Sequence, residues 1–151
     1  MSAASANVSS ETLAAELAAI LGPEHMSTDL PTREFYSRDL SFRPYQPAAV
    51  VVRPGSVEEL SKVVAAATRA GYAVVARGGG MSYTGGYTPV RAETVLIDMR
   101  RMNRILEINA EDMYVVVECG CTWKALYDAL RPLGMRTPYW GPLSGMFATV
   151  G

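Results

Sequence analysis

The sequence predicts a mixed α and β protein (α+β) that opens with a small parallel α/β unit and continues into a mainly antiparallel part. Two apolar runs, 48–52 and 72–76, enclose a stretch with the periodicity of an amphipathic helix. Strands joined by such a helix run parallel, so these segments form a βαβ unit. Two later apolar runs, 104–108 and 113–118, are separated by a short polar turn and predict an antiparallel pair.

Composition limits the classes of function. The chain has 151 residues, 49% of them hydrophobic and 19% charged, which is typical of a single soluble domain. A net charge of −1 provides no basic footprint for nucleic acid. No stretch approaches the roughly 18 apolar residues that span a bilayer, so we expect no membrane span. The N-terminus lacks a basic segment followed by an apolar one, so we expect no secretory signal and a cytoplasmic protein.

Residues 1–47 are predicted to form an N-terminal helix and an arm. Leucines at 13, 17 and 21 mark one face of a helix over residues 9–21, which Ser9 or Ser10 caps. Gly22 and Pro23 stop it. The following segment, 24–47, is polar and rich in proline and aromatic residues, so we expect an irregular packed arm.

Residues 48–151 form the second predicted region. The run 48–52 contains only apolar residues between prolines, which suits a strand buried on both faces. Ser56 and Glu59 have the spacing of a capping box and start a helix that reaches about Arg69. A second buried strand follows at 72–76.

The rest of this region alternates between strands and a helix. The apolar run 94–98 predicts a third strand, and residues 109–112 form the turn of the antiparallel pair. Thr122 caps a helix over 123–133, with Leu126, Tyr127 and Leu130 facing inward. Gly134 ends that helix.

The most informative motif is the glycine-rich loop Arg77–Gly86, which reads R-G-G-G-M-S-Y-T-G-G and follows a predicted strand. Glycine has no Cβ, so consecutive glycines allow several backbone N–H groups to turn toward one anion. The loop therefore predicts a phosphate cradle, with the Ser82 hydroxyl as an additional donor. A flexible surface turn is the alternative.

Two familiar phosphate loops do not fit. A P-loop requires Lys before its final Ser or Thr, and Tyr87 and Thr88 follow Gly86 here. A dinucleotide fingerprint opens a helix, which the segment 83–89, ending in proline, does not favour. The loop thus lacks the lysine that an ATP-type ligand with Mg²⁺ would need, and the cradle consists of backbone amides.

Five segments occur in the order found in one known family. Together they resemble the N-terminal FAD-binding domain of the FAD-linked oxidases, the vanillyl-alcohol oxidase/p-cresol methylhydroxylase (PCMH) superfamily. The resemblance covers residues 48–151 and implies that this region is the N-terminal part of a PCMH-type domain, incomplete at its C-terminus. The segments are 52–60, 76–86, 95–105, 117–126 and 141–151.

The resemblance implies that FAD lies between a small parallel subdomain and a larger antiparallel one. Its pyrophosphate would lie in the glycine loop, while the segment 142–145 would pass near the flavin. The cofactor-binding residues implied are Gly78, Gly79, Gly80, Met81, Ser82, Tyr83, Pro142, Ser144, Gly145 and Thr149.

Met81 bears on how the flavin is attached. Family members that attach flavin covalently through this loop often have histidine at the matching position, and a thioether cannot form the 8α-histidyl bond. We therefore expect non-covalent FAD from this loop, and an attachment residue elsewhere remains open.

Other reactive side chains can be interpreted without a catalytic role. Asp98 suits an ion-paired or capping carboxylate, and Tyr139 and Trp140 could stack on a ring or simply pack. Tyr36 and Asp39 could cover the cofactor or pack at the surface. Cys119 and Cys121, like the lone His25, complete no metal site, so we expect structural thiols, no metal and no identified catalytic residue.

The function expected from the resemblance is that of an FAD-dependent oxidoreductase. The parent protein would oxidise a small alcohol, hydroxy acid or sugar-like substrate by hydride transfer to flavin. The substrate and electron acceptor would bind to regions beyond residue 151, since the chain resembles the front part of a longer oxidase. A homo-oligomer is left open. The alternative is a truncated, non-catalytic domain that acts only in binding or interaction.

Overall fold

The structure is a computed structural model that describes residues 8–151, except for the side chain of Ser144. The chain divides into two compact units. The first comprises the residues up to Arg77 together with Ser82–Asp98, and the second comprises Gly78–Met81 and Met99–Gly151. Each unit is described separately.

The first unit contains three α-helices, four strands and a single 3-10 turn, Pro23–His25, among its described residues. In chain order the helices and strands are α1 (Ser10–Leu21), β1 (Met26–Ser27), α2 (Leu30–Tyr36), β2 (Val50–Val52), α3 (Val57–Arg69), β3 (Ala73–Arg77) and β4 (Thr94–Asp98).

The strands form one sheet in the order β1-β2-β4-β3. β2, β4 and β3 are parallel, which confirms the direction predicted for the βαβ unit, and β1 is antiparallel to β2. β2 and β4 are completely buried, as expected for β2. The expectation of a second fully buried strand at 72–76 is wrong: Val74 and Val75 are half-buried and Ala76 is exposed. The reason is that β3 is the outer strand, with β4 as its only neighbour among the described strands.

The predicted helix starts are confirmed. The Ser9 side chain accepts a hydrogen bond from the Thr12 amide at the start of α1. At the start of α3 the Ser56 side chain accepts from the Glu59 amide. The Glu59 carboxylate, however, accepts from the Gly55 amide at 2.7 Å, one residue before the position that a capping box uses.

The N-terminal arm is more ordered than expected. Residues 24–47 contain β1, which pairs with β2, and the two-turn helix α2. Asp29 starts α2 by accepting a hydrogen bond from the Thr32 amide at 2.9 Å, and Pro31 lies in its first turn. The prediction of an irregular arm missed this Asp-Leu-Pro start signal because no long apolar period follows it.

The second unit is built on a hairpin and a helix. Its elements are β5 (Ile105–Asn109), β6 (Tyr114–Val117) and α4 (Trp123–Leu130), with single 3-10 turns at Met99–Arg101, Arg131–Leu133 and Leu143–Gly145. β5 and β6 are antiparallel, as predicted, and the Asn109 side chain accepts from the Asp112 amide in the turn. Buried Cys121, Leu126 and Leu130 form the core on which the hairpin packs.

α4 is shorter than predicted. The helix was expected to reach Leu133, but it ends at Leu130 and a 3-10 turn takes over. Pro132 has no N–H to continue the α-helical ladder, which explains the change. Gly134 then adopts a left-handed conformation with φ +69°, as expected for the residue that ends the helix. Within residues 8–151, no helix has the length and apolar character needed to cross a membrane.

Candidate functional site

The glycine loop follows β3 directly, and no helix begins in residues 78–93. This agrees with the expectation that the loop does not open a helix. Residues 78–81 belong to the second unit and the rest of the loop to the first.

Gly78 and Gly79 lie very close to the segment 147–149. A Cβ atom added to Gly79 would lie 1.6 Å from the Phe147 carbonyl oxygen, and one added to Gly78 would lie 2.0 Å from Thr149 Oγ1. At Gly79 the close atoms belong to the backbone, so this position requires glycine for close backbone approach. At Gly78 the closest atom belongs to the Thr149 side chain, which would have to move. Both reasons differ from the N–H orientation inferred from the sequence.

The loop also presents a set of backbone donors. Within the described part of the chain, the amides of Gly79, Gly80 and Met81 donate to no protein acceptor. Gly80 is buried and has φ +79°, which a residue with a Cβ adopts only with strain. Adjacent, partly buried amides without acceptors are the donor set that binds a phosphate. The residues present thus fit a phosphate-containing ligand.

The next loop residue, Ser82, is already bonded within the protein. Its amide donates to the Tyr87 hydroxyl at 3.1 Å, and its carbonyl accepts from the Leu40 amide at 2.9 Å. Its hydroxyl lies 3.0 Å from Thr84 Oγ1. Ser82 therefore differs from the three preceding residues, since its backbone is used to hold the loop. The adjacent Tyr83 side chain is exposed.

Asp39 of the arm contacts this second part of the loop. One carboxylate oxygen accepts from the Gly85 amide at 2.8 Å and the other from the Ser41 amide at 2.7 Å. Burial raises the pKa of Asp39, but hydrogen bonds from Ser41, Gly85 and Ser82 outweigh it and leave the pKa below its usual value. The carboxylate is therefore ionised at neutral pH and acts only as an acceptor.

Arg77, the first residue of the motif, is buried against aromatic side chains, a role that the sequence interpretation did not identify. It is only 5% exposed, and its guanidinium carbon lies 5.0 Å from the ring centre of Tyr36 and 5.9 Å from that of Tyr87. Such distances are typical of cation–π contacts. Asp98 is its register partner on β4 and is buried. Tyr36 thus packs around the strand end that precedes the loop.

The remaining predicted cofactor residues lie in the second unit. Pro142 precedes the 3-10 turn that ends at Gly145, whose Cβ position lies 2.6 Å from Trp123 Cβ. Thr149 donates from Oγ1 to the Gly151 carbonyl at 2.8 Å and forms an isolated bridge with Thr122. The side chain of Ser144 lies outside the described part of the structure.

The two candidate stacking aromatics pack on α4. Tyr139 contacts Trp123 edge-on at 5.4 Å between ring centres, and Trp140 contacts Tyr127 at 4.3 Å. Of the two alternatives given for Tyr139 and Trp140, stacking on a ring or simple packing, these contacts fit the packing of aromatic side chains against each other.

The two cysteines form no disulfide, and the Cys121 thiol donates a hydrogen bond to the Thr122 carbonyl at 3.6 Å. Cys119 and Cys121 are free, and burial raises the pKa of the Cys121 thiol. In the part of the chain that the structure describes, no group of three His, Cys, Asp or Glu side chains could hold a metal ion.

Comparison with known proteins agrees with this geometry. Residues 48–151 match the family described as FAD binding domain. The D-2-hydroxyglutarate dehydrogenase of Xanthomonas citri pv. viticola is 34% identical over 113 residues, which are 75% of this chain and 24% of the relative. The probable mitochondrial D-lactate dehydrogenase of Danio rerio is 31% identical over 128 residues, 85% of this chain and 26% of the relative.

The fold is also found in a solved structure. The crystal structure of p-cresol methylhydroxylase with substrate bound superposes with a TM-score of 0.80 over 92% of this chain and 28% of that one, at 20% identity. The chain spans about a quarter of the length of the relatives it matches. It therefore belongs to the FAD binding domain family and has the fold of the p-cresol methylhydroxylase type.

Proposed function

We propose that this chain forms the pyrophosphate-binding part of the FAD site of an oxidoreductase that oxidises a small hydroxy acid or a related alcohol. The observation that carries the proposal is the row of amides of Gly79, Gly80 and Met81, which have no acceptor among the described residues of an FAD binding domain. When bound, FAD supplies the hydride-accepting chemistry.

The roles of the protein residues follow from their contacts. The three amides bind phosphate oxygens. Gly78 and Gly79 permit the close approach of residues 147–149, which fixes the direction in which the amides point. The cofactor contacts proposed for the remaining positions are carried over from the family resemblance, and they concern Ser82, Tyr83, Pro142, Ser144, Gly145 and Thr149.

Binding can be tested on the purified chain by titration with FAD, followed by flavin fluorescence. We expect ADP, which carries the pyrophosphate, to compete with FAD and riboflavin, which lacks it, to compete poorly. Gly80→Ala should weaken FAD binding about tenfold or more, because the left-handed conformation that aims the amides is strained in alanine. Gly134→Ala is the matched control: Gly134 has φ +69° but lies after the 3-10 turn that follows α4, away from the glycine loop in the sequence.

Two results would count against the binding proposal. One is a wild-type chain that binds no FAD, and the other is an equal loss of affinity in both glycine variants.

We further propose that FAD is held without a covalent bond to this loop, because Met81 offers a thioether where attachment would require a histidine nitrogen. Acid precipitation of the flavin-loaded protein should release all the yellow colour into the supernatant. Fluorescent flavin that remains with the denatured polypeptide would contradict this.

The substrate class is supported by the relatives named as D-2-hydroxyglutarate and D-lactate dehydrogenases. We expect the natural gene product, loaded with FAD, to reduce an artificial dye in the presence of D-2-hydroxy acids. The L-enantiomers and simple alcohols are the controls. Equal rates with all three would refute the hydroxy-acid assignment, and a natural product without flavin would favour the domain that acts only in binding.

A further inference from the structure

We propose that Asp39 is a positioning residue for FAD binding: it holds the segment Ser82–Gly85 in the conformation in which the glycine loop receives the cofactor. This inference rests on the proposed function. It concerns a residue of the N-terminal arm, outside the region 48–151 that matches the FAD binding domain family.

The first support is the carboxylate itself. Its two oxygens accept from two different backbone segments, the Gly85 amide at 2.8 Å and the Ser41 amide at 2.7 Å. Gly85 has φ +69°, and its carbonyl accepts from the Thr88 amide. One side chain therefore ties the end of the loop to an arm that lies 46 residues earlier in the chain.

The second support is the backbone next to Asp39. The Leu40 amide donates to the Ser82 carbonyl at 2.9 Å. Two adjacent arm residues thus hold both ends of the segment, Leu40 at Ser82 and Asp39 at Gly85. The Ser82 amide is held in addition by the Tyr87 hydroxyl. Met81, whose amide is one of the proposed phosphate donors, is directly bonded to Ser82, so the position of Ser82 constrains that amide.

The charge of Asp39 supports an indirect role. Its side chain lies in a surface cavity of about 270 Å³ that is also lined by Arg38, Arg43 and Tyr45. An ionised carboxylate repels a pyrophosphate, so Asp39 does not act as a ligand. Its hydrogen bonds to backbone amides are charge-assisted and stronger than neutral ones. We infer that Asp39 affects FAD affinity through the loop.

The test compares three variants. Asp39→Ala removes both acceptors and should weaken FAD binding about tenfold or more. Asp39→Asn retains one carbonyl oxygen and should lose less affinity. Asp29→Ala is the matched control, since Asp29 lies on the same arm and also accepts from a backbone amide, that of Thr32. The Asp29 carboxylate also accepts from the Ser27 hydroxyl, and neither of these contacts involves the glycine loop. The FAD affinity of this variant should equal that of the wild type.

The outcomes separate this inference from the proposed function. If the wild type does not bind FAD, both fail. If the wild type and Asp39→Ala bind equally well, only the positioning role fails. A third outcome is that Asp29→Ala and Asp39→Ala lose the same FAD affinity and that their unfolding temperatures fall by the same amount. That result would show a general structural role and would overturn the inference. Partial rescue by Asp39→Asn, with the unfolding temperature of the FAD-free chain unchanged, supports positioning.

Discussion

Gly79 shows how one residue can meet two demands at once. Its amide belongs to the row of free donors, and its missing side chain leaves room for the Phe147 carbonyl. The sequence pattern indicated only the first demand, because three consecutive glycines suggest backbone freedom. The second depends on a segment almost 70 residues later, and nothing within the motif reveals it.

We therefore predict that Gly79→Ala destabilises the fold even without a ligand. The new methyl group would displace backbone at residue 147, which should lower the free energy of unfolding by about 3 kcal/mol. At Gly134 no atom lies within 4 Å of the Cβ position. Gly134→Ala should therefore lower the free energy of unfolding by only about 1 kcal/mol, because alanine is strained at a positive φ. Urea unfolding of both variants measures the difference. Equal losses would mean that the close approach to Phe147 does not exist.

At the scale of elements, the sequence predicted helices and strands best where a capping residue or turn coincides with a long periodic run of apolar residues. α1 and α3 begin at the predicted caps Ser9 and Ser56, and β4 has the predicted bounds. Elements without a long period were missed or misjudged, namely the two-turn helix α2 and the two-residue strand β1. The outer position of β3 also could not be predicted. It results from β4 pairing between β2 and β3, and the sequence does not indicate which strands β4 joins.

The same reasoning applies to the candidate site. The sequence predicted the loop whose amides we propose as phosphate donors, because a run of glycines directly after an apolar run is visible in it. The contacts of Asp39 and Arg77 could not be predicted, because they depend on how the arm folds back onto the loop. A charged residue in a polar, proline-rich arm gives no signal of its own.

The start of α3 allows a prediction at this scale. Ser56→Ala removes the side-chain acceptor for the Glu59 amide and should lower the free energy of unfolding by about 1 kcal/mol. Ser61→Ala, at an exposed position within the same helix, is the control and should change stability very little. Thermal unfolding of the two variants decides the question. A Ser56→Ala variant as stable as the control would show that Glu59 alone secures the helix start.

At the scale of the whole molecule, the two units differ in how well their strands are covered. Val51, Val52 and Leu96 in the first unit are 0% exposed. In the hairpin of the second unit, by contrast, Leu106 is 56% exposed and Tyr114 is 44% exposed. Two-stranded sheets with an exposed face are marginal by themselves. Local stability should therefore differ between the units.

Amide hydrogen exchange can measure this difference. We expect the amides of β2 and β4 to exchange slowest, at rates that approach global unfolding, and those of β5 and β6 to exchange faster through local opening. The amide of Val116, which lies on the exposed hairpin, is a suitable reporter. Protection of the hairpin equal to that of β4 would show that the two units unfold as one.

The contact between Gly79 and Phe147 also limits how the loop can be engineered. A designer who transplanted residues 77–86 alone into another scaffold would move the proposed phosphate donors without the backbone that packs against their glycines. The transferable piece comprises this loop together with residues 147–151, because the Phe147 carbonyl and Thr149 Oγ1 occupy the space beside the two glycines. Libraries that vary one of these segments while keeping the other constant should consequently yield few folded members.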